Sequence, residues 1–145
     1  MLIKKIAILG GTGFVGSLLC NRLSKEGFYL KILTRNREYN REDIILLPNA
    51  ELIEADVNNL NNLNECLRDC DAVINLIGIL NEKSNNGDGF KLVHVELIKN
   101  LIKACKKNNI RRFIQMSALN ADAKNGMSFY LKTKGQAEKL LHTNT

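Results

Sequence analysis

The stretch LIKKIAILGGTGFVG, residues 2–16, decides the fold of this chain. Its first half is an apolar strand pattern that runs directly into glycines at positions 10, 11, 13 and 16. A helical pattern follows, in which apolar residues recur at i, i+3, i+4 and i+8: Val15, Leu18, Leu19 and Leu23. This order is typical of dinucleotide-binding sheets, because glycines let the backbone approach a pyrophosphate and free helix N–H groups attract its charge. The turn therefore predicts a cofactor contact made by six residues: Gly10, Thr12, Gly13, Phe14, Val15 and Gly16.

Length and composition indicate an ordinary globular protein. The 145 residues fit one domain over positions 1–145, and 45% apolar with 25% charged residues is a common balance. The net charge is +6, and the basic residues are spread along the chain apart from short pairs such as Lys106-Lys107 and Arg111-Arg112, with no aromatic residues interleaved to stack bases. We interpret the basic residues mainly as solvated surface, so nucleic acid is not an expected partner.

The four cysteines and the N-terminus bear on the compartment. Cys66 and Cys70 are four residues apart in an expected helix, Cys20 and Cys105 lie in other expected helices, and no C-x-x-C pair occurs. We therefore expect buried reduced thiols and no metal site. The apolar run at 6–9 is too short for a signal peptide, and no stretch is long enough for a transmembrane segment. These observations favour a cytoplasmic chain.

Strand and helix patterns alternate along the rest of the sequence. Further strands are expected at 28–33, 51–57, 72–78 and 112–117. Helices are expected at 60–68, at 90–107, and from residue 128 onward. Such alternation predicts an α/β fold, a doubly wound parallel Rossmann sheet in the order 3-2-1-4-5. The glycine turn then lies at the carboxyl edge between strands one and four, with the loop at 81–89 at the same edge.

The end of the second strand decides which dinucleotide is preferred. An acidic residue there favours NAD, whereas this chain has Thr34, Arg35, Asn36 and Arg37. A guanidinium pairs bidentately with a 2′-phosphate, so Arg35 predicts NADP as the cofactor, with NAD as the other candidate. The alternative is that Arg35 is an ordinary surface arginine.

Asp56 and Val57 close the third expected strand. At this edge a carboxylate can accept a hydrogen bond from the adenine amine, while the Val57 N–H donates to a ring nitrogen. The alternative for Asp56 is the N-cap of the following helix.

Ser117, Tyr130 and Lys134 are the candidate catalytic residues. Tyr130 and Lys134 fall on one face of the last helix, downstream of a strand that ends in Ser117. A neighbouring ammonium favours the phenolate form of a tyrosine, and a serine can orient a carbonyl or hydroxyl during hydride transfer. The alternative role for Lys134 is only to bind the nicotinamide ribose.

Several motifs together resemble the short-chain dehydrogenase/reductase superfamily. They are GGTGFVG, Asp56-Val57, NLIGIL at 75–80, and Ser117 with Tyr130 and Lys134. More narrowly, three stretches resemble NAD(P)-binding proteins related to the NADPH-binding accessory subunit of respiratory complex I, often described as epimerase/dehydratase-like: DAVINLIGIL at 71–80, VHVE at 93–96 and SALNADAKNGMSFYLKTKGQAEKLL at 117–141.

The resemblance implies that NADPH is held by the glycine turn and Arg35, with Tyr130 and Lys134 near the nicotinamide. The strand-end motif adds Leu76, Ile77 and Gly78 as cofactor-binding residues. Two departures stand out. Leu97-Ile98 replaces a small pair of the relatives, and His94 replaces a common asparagine. We interpret His94 as a packed or solvent-facing residue rather than a catalytic one.

Two functions from different classes follow from the resemblance. The first is a cofactor-holding structural or sensing protein, attached to an assembly such as a respiratory complex. The second is a reductase or epimerase acting on a nucleotide-sugar or similar small substrate. In relatives, further strands and a substrate lobe follow position 145, so the sequence is expected to be an N-terminal portion without appreciable turnover of its own. An apolar strip beside the fifth strand is then expected to favour self-association.

Overall fold

The computed structural model describes residues 2–38 and 46–144. Within them, five strands form one sheet: β1 (Lys5–Leu9), β2 (Tyr29–Thr34), β3 (Ala50–Glu54), β4 (Ala72–Asn75) and β5 (Arg112–Gln115). Their order is β3-β2-β1-β4-β5, and all four neighbouring pairs are parallel. The predicted doubly wound order is therefore confirmed, and it places the residues that follow β1 and β4 side by side at the carboxyl edge.

Helices cover both faces of the sheet. They are α1 (Phe14–Lys25), α2 (Leu60–Cys66), α3 (Asp88–Lys91), α4 (Leu97–Lys107) and α5 (Phe129–His142), with a π-helical turn at Leu92–Glu96 between α3 and α4. One core lies under α2, α4 and α5 and is centred on Leu9, Val73, Leu101 and Ala137. The other lies under α1 and is centred on Ile8, Ile32 and Cys20. Burial of strand residues on both faces explains the nearly continuous apolar runs of β1 and β4.

The expected apolar face of α1 is partly wrong. Val15 and Leu18 are exposed, and the residues that the helix buries are Gly16, Cys20 and Ser24. Small side chains four residues apart let α1 lie close to the sheet, which the apolar spacing alone did not predict. The apolar residues Val15 and Leu18 instead lie on the solvent side of the helix.

Strands β3, β4 and β5 end two or three residues before their predicted limits of 57, 78 and 117. The first residue after each of these strands still bonds to the neighbouring strand, as in the donation from the Leu76 N–H to the Leu9 carbonyl at 2.9 Å, and the residues beyond it lie at the carboxyl edge. All four cysteines are buried free thiols, as expected, although Cys70 lies beyond the end of α2 rather than inside it. Ile114 on the outer strand β5 and Met116 just after it are exposed. The apolar strip beside β5 and self-association there stay predictions.

Candidate cofactor site

The glycine turn is held by backbone contacts. Gly10 has φ +76°, a conformation that favours glycine, and its carbonyl accepts the Gly13 N–H at 3.1 Å. A Cβ at Gly16 would overlap the Gly10 carbonyl oxygen and lie 2.6 Å from the Gly11 Cα. The first turn of α1 therefore lies directly against the end of β1. Because Gly13 is the N-cap, it brings no side chain to the helix N-terminus, whose N–H groups face the carboxyl edge.

The same turn contacts the end of β4. A Cβ at Gly10 would lie 3.1 Å from the Leu76 carbonyl carbon and 3.2 Å from the Ile77 nitrogen. Asn75 fixes this strand end, because its Oδ1 accepts the Ile77 N–H at 3.1 Å and its Nδ2 donates to the Gln115 Oε1 at 2.8 Å. Sequence reasoning missed Asn75, although a polar residue closing the buried run AVIN is a readable signal.

Lys134 is buried at the far end of this edge, with only 3% of its surface exposed. Its Nζ donates to the Met116 carbonyl at 3.1 Å and lies 5.9 Å from the centre of the Tyr130 ring. A Cβ at Gly78 would lie 3.1 Å from the same Nζ. Burial lowers the pKa of Lys134, since desolvation disfavours the ammonium form. The structure thus brings Gly78, Tyr130 and Lys134 together with the end of β5.

Ser117 follows Met116 at this strand end. Its Oγ is buried, and no residue in the described part of the chain forms a hydrogen bond with it. An unpaired buried hydroxyl is costly, and a ligand carbonyl or hydroxyl would satisfy it. The Lys134 ammonium donates to the carbonyl of Met116, which is the residue immediately before this serine.

Helix α5 holds Tyr130 and Lys134 in place. Ser128 caps the helix by accepting the Leu131 N–H at 3.2 Å. On the other side, a Cβ at Gly135 would lie 2.7 Å from the Asp122 Cα, so the loop after β5 packs closely against the helix. Asp122 in turn accepts the N–H groups of Lys124 and Asn125 at 2.7 and 2.8 Å. The position of α5 is therefore fixed by backbone contact.

The ends of β2 and β3 carry the remaining candidates. Arg35 is exposed, and the next arginine, Arg37, donates its backbone N–H to the Glu54 Oε2 at 3.2 Å. Sequence reasoning gave Glu54 no part in the site. Val57 is half-buried and packs against the core under α2, and Asp56 is exposed, with its Oδ1 accepting the Asn58 N–H at 3.0 Å.

The alternative role of Asp56 as a helix cap is wrong. Asn59 is the N-cap of α2, and its side chain accepts the N–H groups of Asn61 and Asn62. Asp56 therefore lies outside the helix, in the turn that precedes it.

Within residues 2–38 and 46–144, no cluster of three or more His, Cys, Asp or Glu side chains is arranged to hold a metal ion. Nor do these residues include a helix with the length and apolar character needed to span a membrane.

Comparison with known proteins agrees with this geometry. A family model described as NAD(P)H-binding matches residues 10–145. The mitochondrial NADH-ubiquinone oxidoreductase 40 kDa subunit of Neurospora crassa is 31% identical over 139 residues, which are 94% of this chain and 36% of that protein. The chain thus spans about a third of the length of this curated relative.

Solved structures show the same fold. Pen from Bacillus thuringiensis superposes with a TM-score of 0.86 at 23% identity, over 97% of this chain and 45% of that one. UDP-glucuronic acid 4-epimerase from Bacillus cereus, in complex with NAD, superposes with a TM-score of 0.81 at 23% identity, over 97% and 52%. At these identities the likeness extends to the sheet and its helices.

Proposed function

This chain belongs to the NAD(P)H-binding family, and from its site we propose that it holds NADP(H) across the carboxyl edge of the sheet as a structural or sensing cofactor. The observation that carries the proposal is the contact between the glycine turn and the end of β4. That contact joins a helix N-terminus suited to a pyrophosphate with the residues leading to Gly78 and Lys134.

The proposed cofactor contacts three regions of the carboxyl edge. The glycine turn, residues 10–16, contacts the pyrophosphate through backbone N–H groups and the closely approaching main chain. The adenosine half extends toward Arg35, Asp56 and Val57 at the ends of β2 and β3. The nicotinamide half extends over residues 76–78 toward Tyr130 and Lys134, where the buried ammonium can donate to a ribose hydroxyl.

A preference for NADP over NAD is proposed on the charge of Arg35. Its exposed guanidinium stands where β2 ends, which suits a 2′-phosphate. The Glu54 carboxylate, bound to the Arg37 N–H, opposes this preference because it places a negative charge at the same turn.

Titration calorimetry with NADPH and NADH tests both proposals. We expect the parent to bind both, and Arg35→Ala to weaken NADPH about tenfold while leaving NADH nearly unchanged. Arg37→Ala is the matched control, since it removes a neighbouring arginine side chain and keeps the backbone N–H that binds Glu54. Equal losses for both dinucleotides in Arg35→Ala contradict the assigned preference, and no binding by the parent overturns the function.

The name of the Neurospora crassa relative suggests a partner. We propose that the protein is cytoplasmic, as its sequence favours, and attaches peripherally to a respiratory NADH-ubiquinone oxidoreductase. Tagged protein should then co-purify with the detergent-solubilised complex from cells that contain one. Recovery of the protein free of the complex contradicts the attachment but leaves cofactor binding untouched.

A second candidate is a reductase or epimerase, and the unpaired Ser117 hydroxyl favours it. A bound reduced nicotinamide supplies hydride. Ser117 would orient the substrate oxygen, and Tyr130 would donate the proton that this oxygen takes up, with Lys134 beside its ring. The test is NADPH oxidation over a panel of carbonyl and nucleotide-sugar substrates. Turnover that Tyr130→Phe abolishes supports this candidate, and NADPH binding without turnover supports the first one.

A further inference from the structure

His94 is a buried polar residue that neither proposed function uses. Only 2% of its surface is exposed, and it lies at the centre of the π-helical turn Leu92–Glu96. In this turn the Leu97 N–H donates to the Leu92 carbonyl, five residues back, so one extra residue is accommodated. Turns of this kind are rare in proteins overall. Where they do occur, they are often found at functional sites, where they redirect a side chain.

Both ring nitrogens of His94 have partners. Nε2 lies 3.3 Å from the Ile79 nitrogen, whose N–H donates to it, and Nδ1 lies 3.0 Å from the Thr133 Oγ1. Because Nε2 accepts, the proton of the neutral ring is on Nδ1, which donates to Thr133. The Thr133 hydroxyl then donates to the carbonyl of Phe129 or Tyr130, at 2.8 and 3.0 Å. The N–H of Ile79 therefore fixes the direction of the hydrogen bond between His94 and Thr133.

The surroundings of the ring keep it uncharged. Burial, together with the nearby Lys134 ammonium, lowers the pKa of His94 to about 4. The ring contacts Tyr130 edge-on, with centroids 5.4 Å apart, and Phe90 on another side at 5.7 Å. A neutral imidazole is required here, because a protonated Nε2 could not accept the Ile79 N–H.

The two bonds end on two different segments of the proposed nicotinamide site. Ile79 follows Gly78, where an added Cβ would lie 3.1 Å from the Lys134 Nζ and 3.6 Å from the His94 Nε2. Thr133 lies on α5 between Tyr130 and Lys134. The imidazole therefore spans the gap between the strand-end segment and the helix that carries the candidate catalytic pair.

Resting on the proposed function, we propose that His94 is a positioning residue, which fixes residues 78–79 against helix α5 and so sets the spacing of the nicotinamide site. Its partners, Ile79 and Thr133, belong to neither the glycine turn nor the ends of β2 and β3, where the pyrophosphate and adenosine are proposed to bind. Loss of the bridge should therefore weaken the nicotinamide half of the cofactor alone.

The test compares two ligands on the full chain. Adenosine 2′,5′-bisphosphate reports the adenosine half, and NADPH reports both halves. We expect His94→Phe and His94→Asn to weaken NADPH about tenfold and to leave the bisphosphate nearly unchanged, since one or both buried hydrogen bonds are lost. His94→Gln can return an acceptor to the Ile79 N–H and should recover most of the NADPH affinity.

Two further variants distinguish positioning of the nicotinamide site from a general contribution to the structure. Thr133→Val removes the hydroxyl partner at nearly constant volume and should resemble His94→Asn in direction. Glu82→Gln is the matched control, because the Glu82 carboxylate accepts the N–H groups of Gly87 and Gly89 in the same connection but farther from Gly78. Glu82→Gln should leave the ratio of the NADPH affinity to the bisphosphate affinity at the parental value.

Each outcome decides the proposal. Failure of the parent to bind NADPH overturns the proposed function itself. Parental binding with unchanged NADPH affinity in the His94 variants overturns only the positioning role, and so does equal weakening of both ligands. If His94→Phe does not fold, the comparison of His94→Gln with Thr133→Val still shows whether the bridge sets the NADPH affinity. Nitrogen chemical shifts test the bridge without any cofactor: they should show the Nδ1–H form for His94, and His142 is the only other histidine.

Discussion

The two ends of the proposed cofactor site consist of different chemical groups. The glycine-turn end, residues 10–16 with the strand ends at 34–37 and 54–57, combines backbone groups with the exposed charges of Arg35, Glu54 and Asp56. The Lys134 end, residues 75–79, 94, 116–117 and 130–134, includes buried polar side chains that form hydrogen bonds with other side chains and with the backbone. One end depends on close approach of the main chain, and the other depends on proton positions.

This difference predicts different sensitivities. Cofactor binding at the glycine-turn end should respond to added volume, because the backbone approaches closely there, and to salt, because the charges of Arg35 and Glu54 are exposed. The Lys134 end should respond to protonation and to loss of single hydrogen-bonding groups, because its polar atoms are desolvated. The predictions below test this contrast, beginning with the largest expected effect.

Gly16→Ala should cause the largest loss. The new methyl group would overlap the Gly10 carbonyl and approach the Gly11 Cα, both of which are backbone atoms that cannot rotate away. We expect a lower free energy of unfolding, by about 3 kcal/mol or more, together with loss of NADPH binding. Urea denaturation followed by circular dichroism measures the first effect, and calorimetry measures the second.

Gly13→Ala is the control for this prediction. A Cβ at Gly13 would meet only the Gly10 carbonyl oxygen, at 3.3 Å. Its free energy of unfolding should stay near the parental value, while NADPH affinity falls because the methyl group faces the approaching pyrophosphate. Equal destabilisation by both substitutions would show that the turn is sensitive throughout, rather than at the contact between helix and strand.

The contrast also explains what the sequence could predict. The glycine turn, the sheet order and the helix with Tyr130 and Lys134 were readable because each depends on local spacing. The roles of Asn75 and His94 were not, since their partners lie 40 and 39 residues away at Gln115 and Thr133. A π-helical turn leaves no periodicity signal of its own, so the orientation of His94 required the packed structure.

Acidification should destabilise the Lys134 end through His94. The pKa of His94 is lowered from 6.5 to about 4 in the folded protein, so between these values the unfolded chain binds more protons. Stability should therefore fall as the pH is lowered from about 6.5 to about 4, and then level off for this group, with a total effect of about 3 kcal/mol. Urea denaturation at about pH 7 and about pH 4.5 measures the change.

His94→Gln is the reference for the acid effect, because glutamine does not titrate in this range. Asp71 and Asp122 also have lowered pKa values, owing to backbone N–H donors, but their contribution is lost only below their ordinary value of 3.8. The stability difference between parent and variant should therefore change with pH only above that value and stay constant below it. Identical pH profiles for parent and variant would exclude His94 as the cause.

The smallest expected effect is at the exposed charges of the glycine-turn end. Glu54→Gln keeps an oxygen that can accept the Arg37 N–H and removes only the negative charge beside the proposed 2′-phosphate site. We expect NADPH affinity to rise about threefold and NADH affinity to stay nearly constant, as calorimetry with both ligands measures. Because these groups are solvated, the gain should shrink as ionic strength rises, whereas the effect of His94→Asn should persist in salt. A gain for NADPH that does not depend on salt would mean that Glu54 acts through the conformation of the turn and not through its charge.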